Sequence, residues 1–169
     1  MFSHVMVGAT NIEESRKFYD AIMQTIGGKP GVPHKLKGIM RYLYFHKGNI
    51  FIITEPINGE DAAHGNGSTL GFQADSPDIV DTWHKAGLDN GGTAIEDPPG
   101  IRGQGDLSFY LAYLADPSGN KICAMHNIQA WALLLLKTNS PANIPKFFTK
   151  FWVSCAWLVS PDIFQKSWI

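Results

Sequence analysis

Two stretches of the chain place apolar residues on a helical stripe, and each is followed by segments that alternate in the manner of strands. In the first stripe Ile12, Phe18, Ile22 and Ile26 recur at helical spacing; in the second, Ile79, Val80, Trp83 and Leu88 do so. Asn11 and Ser76 stand where N-caps belong, with Pro77 at the first helical position and Glu13, Glu14 and Asp78 near the positive helix end. Gly27-Gly28 and Gly91-Gly92 mark the stops. Short strands beginning near His4 and Thr69 precede the helices. Strand-rich segments at 40–45 and 49–54 follow the first helix, and 107–114 and 120–125 follow the second. Asp116-Pro117-Ser118-Gly119 has the residue order of a type I turn, and His46-Lys47-Gly48-Asn49 joins the earlier pair of strands.

The pattern is an internal repeat, β-α-β-β in each half with room for a further short strand. Setting Gly48-Asn49 on Gly119-Asn120 brings Ile52 opposite Cys123 and Glu55 opposite His126, while His4 matches Thr69. Strand parity then sorts two faces. Val5, Val7, Phe51, Ile53, Leu70, Phe72, Ala74, Ile122 and Ala124 share one parity and make the expected helix-facing core. His4, Met6, Ile52, Thr54, Thr69, Gly71, Gln73, Cys123 and Met125 share the other, a mixed face suited to a cup for a small molecule.

Composition sharpens this. The 169 residues are 44% hydrophobic and only 17% charged, which favours a packed core. The net charge of −1 gives no reason to expect nucleic acid as a partner. Yet that value is a cancellation. Residues 1–127 carry 10 basic and 14 acidic groups, whereas 128–169 carry four and one, with four of the five tryptophans. Expected domains are therefore a first module at 1–60, a second at 61–127 and a basic, aromatic extension at 128–169. The extension is read as packing on the body or on a partner subunit. Its apolar runs are too short for a membrane span. Cys123 and Cys155 form no CxxC, so neither a disulfide framework nor a zinc module is indicated, and a cytoplasmic setting is expected.

Phe18-Tyr19, the paired glycines and the segment Tyr-Leu-Ala-Asp-Pro-Ser-Gly-Asn-Lys-Ile at 113–122 resemble the vicinal oxygen chelate superfamily. That group includes glyoxalase I, bleomycin- and fosfomycin-resistance proteins and extradiol dioxygenases. The resemblance spans residues 2–126. It implies an α+β fold of two tandem βαβββ modules forming a cupped mixed sheet, a homodimer, and in metal-using relatives a divalent ion held by four ligands. Those four positions fall on His4, Ile52, Thr69 and Cys123, and Ser118 stands where the family motif has an acid.

Only His4 keeps a strong ligand, so a cup working without the family metal is expected. A displaced set of His4, Glu55 and His126 would need a bulge to bring the last two onto the cup face, because an odd step reverses the face. Without one, Glu55 and His126 are solvated strand ends. His4 is the candidate catalytic base or orienting donor. Thr69, Gln73 and Cys123 line the expected cup, with Cys123 a small packed residue. Tyr42, Tyr44, Tyr110 and Tyr113 are candidate aromatic walls, one or two of which face the ligand. Arg102, in the glycine-rich loop 98–105, is a candidate anion-binding fork. The function expected is a glyoxalase/bleomycin-resistance/dioxygenase-like protein binding a small organic molecule. The alternatives are a metal-dependent glyoxalase-like lyase and a non-enzymatic dimeric binding module.

Overall fold

The computed structural model of the protein describes residues 2–103 and 108–128, within a unit formed by Met1–Gln129. The extension at 128–169 lies outside the described residues apart from Ile128.

The first half comprises β1 (Val5–Gly8), α1 (Ile12–Thr25), β2 (Val32–Leu36), β3 (Ile39–His46) and β4 (Asn49–Thr54). The second comprises β5 (Leu70–Gln73), α2 (Pro77–Asp89), β6 (Thr93–Ala94), β7 (Gly100–Arg102), β8 (Phe109–Ala115) and β9 (Lys121–Asn127). Sheet A has the order β1-β4-β3-β2; sheet B has β5-β9-β8-β6, with β7 also paired to β8. In each, the strand before the helix runs parallel to the last strand of its half, and the remaining pairs are antiparallel. The registers Met6↔Ile52 and Gly71↔Cys123 reproduce the repeat read from the sequence. The fold class is thus α+β with two mixed sheets and two helices.

Local chemistry accounts for the boundaries. The Asn11 side chain accepts from Glu14 N at the start of α1, and the Ser76 side chain accepts from Ile79 N at the start of α2. The Asp116 turn closes with Gly119 N donating to Asp116 O at 2.9 Å. The β3–β4 connection differs in type: Lys47 and Gly48 both have positive φ, at 46° and 78°. That is the twist a two-residue hairpin needs. In the second half, the edge strand beside β8 is broken into β6 and β7, with Pro98-Pro99 and a positive φ at Glu96 between them.

Both helices and the inner faces of both sheets share one hydrophobic cluster. Phe18, Tyr19, Ile22, Val80, Trp83, Ile53, Leu114 and Ile122 are fully buried. Phe51 of sheet A meets Phe72 of sheet B edge to face, with ring centroids 5.4 Å apart. The α2 stripe departs from expectation at Leu88, which is exposed. Gly87 takes the buried place instead, because a Cβ there would lie 2.3 Å from Leu114 Cδ1 and 3.2 Å from Phe18 Cε2. The helix approaches its neighbours too closely for any side chain at that position.

The turn at 116–120 also clasps the other half. Ser118 Oγ accepts from Thr10 N at 3.0 Å, and Asn120 Nδ2 donates to Gly8 O at 2.9 Å. The serine that replaces the family's acid therefore joins the start of α1 to the end of sheet B.

Candidate functional site

Cross-strand partners in a sheet share a face. On sheet B, the registers Tyr113↔Cys123, Arg102↔Phe109 and Leu111↔Met125 place Arg102, Tyr113 and Cys123 away from the helices, on the parity of Thr69, Gly71 and Gln73. We call this side the open face. On sheet A the open face carries Met6, Arg41, Leu43, Phe45, Ile52 and Thr54.

Tyr113 and Cys123 are directly paired across β8 and β9. The thiol is 7% exposed, and burial pushes its pKa up to about 11, so it stays protonated at neutral pH. A buried neutral thiol of this kind is a poor nucleophile. Gly71 lies next to it in the sheet; a Cβ there would stand 3.4 Å from Cys123 Sγ. Lys121 Nζ sits 4.9 Å from the centroid of the Tyr113 ring and is ion-paired with Glu96. Arg102 folds back on its own loop, with Nη2 donating to Pro98 O at 2.7 Å.

The tyrosines separate by what their hydroxyls do. Tyr19 donates to Asp116 at 2.8 Å, Tyr42 to Glu13 at 2.5 Å, Tyr44 to Asp20 at 3.1 Å and Tyr110 to Asp81 at 3.0 Å. Tyr42 and Tyr44 lie beneath α1, and Tyr110 reaches α2; all three are on the helix side, so of the four candidates, one or two of which are expected to face the ligand, Tyr113 alone is on the open face. Their parity matched the core residues, but their length carries each hydroxyl to a carboxylate on a helix. Burial followed by the carboxylate partner raises the pKa of Tyr19 and of Tyr44. Tyr113, the fifth tyrosine, makes no hydrogen bond through its hydroxyl among the described residues, and it alone of the four candidates shares the open face with Cys123.

His4, Thr69 and Gln73 line a cleft between the edges of β1 and β5, in which Tyr44 also takes part. His4 is exposed, and its Nδ1 lies 3.0 Å from Ser3 Oγ. The structure thus divides the candidate residues into a cleft group, an open-face group and three helix-side tyrosines.

The family's metal does not fit the residues present. Ile52 has no donor atom and is buried, Thr69 is a weak ligand, and His4 with Cys123 fall short of the three or more donors that hold a divalent ion. The displaced set fails for a geometric reason. Glu55 Oε2 accepts from Met40 N at 2.7 Å, which occupies it at the end of β4. His126 is not a solvated strand end: it is 6% exposed on the helix side of β9, with Nδ1 3.1 Å from Ala74 O. No bulge re-aims either residue, and the described residues contain no group of three or more His, Cys, Asp or Glu able to hold a metal ion. Among the described residues no helix is long and apolar enough to cross a membrane.

Sequence reasoning missed the network under α1, where Arg16 pairs with Glu13 and Asp20 at 2.8 and 2.9 Å and stacks over Tyr42. The i,i+3 and i,i+4 spacing of these charges was its only advance signal.

Comparison with known proteins agrees with this architecture. Residues 1–124 match the profile of the Glyoxalase/Bleomycin resistance protein/Dioxygenase superfamily. The chain is 57% identical to a glyoxalase/bleomycin resistance protein from Albidiferax ferrireducens T118, with a TM-score of 0.67; the match covers 75% of this chain and 98% of that one. Glyoxalase I from Zea mays shares the fold at 18% identity and a TM-score of 0.59, over 82% of this chain and 50% of that one. A glyoxalase-related enzyme from Fulvimarina pelagi does so at 16% identity and 0.56, over 75% and 88%. No curated protein matches the sequence. The family profile covers well over half the chain, both sheets and both helices included, and the protein belongs to the glyoxalase/bleomycin resistance/dioxygenase superfamily.

Proposed function

We propose that the protein binds a small, partly apolar organic molecule on the open face of sheet B, without the family metal, and that the chain forms a homodimer. The observation that carries this reading is Tyr113. Four of the five phenols are committed to carboxylates, whereas the Tyr113 hydroxyl, on the open face beside a neutral thiol, has no hydrogen-bond partner among the described residues. An uncommitted donor on a mixed apolar surface orients a carbonyl or carboxylate oxygen of a ligand. Leu111 and Met125 supply apolar contact on the same face, and Arg102 supplies a cation.

The dimer rests on sheet A. Met6, Phe45, Val32 and Leu36 share its open face and are 39%, 52%, 53% and 46% exposed. Several large apolar side chains on one sheet face mark a surface to be covered. The family resemblance points the same way. His4, the acid/base candidate of the sequence reading, borders the β1/β5 cleft and takes no part in this site.

The test is a titration of a panel of small planar carbonyl and carboxylate compounds, followed by amide NMR shifts. A binder that moves Cys123 and Leu111, loses about tenfold in affinity in Tyr113→Phe and is unaffected by Tyr110→Phe supports the reading. Equal sensitivity to both substitutions would refute it. Metal analysis of protein purified without chelator addresses the metal-free part. Stoichiometric Zn, Ni, Mn or Fe that is lost in His4→Ala would overturn it.

A further inference from the structure

The cleft between the edges of β1 and β5 meets the open face at Thr69, Gly71 and Gln73 but is not lined by Tyr113, Cys123 or Arg102. Its volume is about 620 Å³, within the range of small-molecule sites. Its floor is apolar: Met23 and Ile26 come from the end of α1, Phe51 and Phe72 from the two sheets. Among its lining residues the one formal charge is that of Lys47. His4, His46 and Lys47 border it and no Asp or Glu does, although the body carries more acids than bases. His46 adds a further mark. Its Nε2 is sealed from solvent and has no hydrogen-bond partner among the described residues. A buried imidazole nitrogen left unpaired is costly, and a polar group brought to it by a bound molecule offsets that cost.

We propose that this cleft is a binding site for a medium-chain carboxylic acid, with the apolar chain on the Met23/Ile26/Phe51/Phe72 floor and the carboxylate at His46 and Lys47. This occupant satisfies the apolar floor and the acid-free, basic rim together, which neither a neutral hydrocarbon nor a small inorganic anion does. In the empty cleft Lys47 Nζ is held 3.0 Å from both carboxylate oxygens of Asp75, which does not line the cavity. An arriving carboxylate therefore competes with Asp75 for Lys47, and Asp75 sets the affinity from outside. The proposal does not depend on the open-face reading, and each fails by a different experiment.

The probe is sodium octanoate titrated into the full chain and followed by amide NMR shifts, with hexanoate, acetate and 1-octanol as comparisons. Saturable shifts at Ile26, His46 and Leu70 are expected. Affinity should fall by up to about fourfold for each methylene removed, and octanol should bind more weakly than octanoate. Lys47→Asn keeps a residue suited to the left-handed turn position and removes the charge; it should weaken octanoate by about two- to fivefold without unfolding the hairpin. Asp75→Asn frees Lys47 and should tighten octanoate by a similar factor. Absence of saturable binding, shifts centred on Tyr113 and Cys123, or an octanoate affinity unchanged in Lys47→Asn and Asp75→Asn would overturn the assignment.

Discussion

The hydroxyl of Tyr19, in the middle of α1, donates to Asp116 Oδ2 at 2.8 Å across 97 residues of sequence. The contact is buried, and it ties the helix of the first half to the turn that opens the last strand of the second. Asp116 also accepts from Ser118 N, Asn120 N and Asn120 Nδ2. The carboxylate is thus the node through which one turn is shaped and both halves are joined.

Replacing Tyr19 by Phe removes one donor and leaves Asp116 with three. A loss of about 1–2 kcal/mol is expected from urea unfolding, with an unchanged m-value. Asp116→Ala strands a buried phenol and the turn amides together, so about 3 kcal/mol or more should be lost. A smaller effect for Asp116→Ala than for Tyr19→Phe would contradict the role of the carboxylate as the shared acceptor.

Gly87→Ala sets helix propensity against packing. Alanine gains up to about 1 kcal/mol in a helix interior, but its Cβ would fall 2.3 Å from Leu114 Cδ1 in a fully buried contact. Overpacking of this kind costs about 1–3 kcal/mol, so the substitution should destabilise on balance. In a Leu114→Ala background the same change should be neutral or stabilising, a coupling that a double-mutant cycle measures directly.

Cys123 carries a pH prediction. Its folded pKa is raised to about 11 by burial, whereas an unfolded thiol titrates near 8.5. The unfolded chain therefore loses its proton first. Stability from this group is intact below about pH 8 and declines as pH rises towards 11, by about 3 kcal/mol before allowing for its partial exposure. In a Cys155→Ser background, the thiolate absorbance should rise with a midpoint near pH 11, and alkylation at pH 8 should be far slower than in denaturant. A midpoint below 9 would show that the thiol is not held neutral and would reopen it as a ligand or nucleophile.

Truncation after Ile128 should leave a cooperatively folding body. All members of the described core cluster lie before that point, and the relative that shares 57% identity matches over nearly its full length with only 75% of this chain. Circular dichroism and a single sharp thermal transition check this; a molten truncated protein would show that 129–169 completes the core.

The sequence alone determined the helices, their caps, the repeat and the two faces of the strands, because these depend on residue spacing within a few positions. The alignment of Ile52 with Cys123 followed from that spacing and holds in the strand registers. Parity likewise showed that an odd step turns Glu55 and His126 away from the cup face, but it could not show that His126 is buried. Tertiary structure decided the remainder. Strand parity puts Tyr42, Tyr44 and Tyr110 with the core residues, but only the docking of α1 and α2 on the sheets brings Glu13, Asp20 and Asp81 to their hydroxyls. Packing likewise gave Gly87 the place that the helical stripe assigned to Leu88, and it grouped His4 with His46 and Lys47 around a cleft instead of with Cys123. The difference is physical: periodicity reports which way a side chain leaves the backbone, whereas its chemical partner is set by elements up to a hundred residues distant, whose approach is fixed by how their buried surfaces fit.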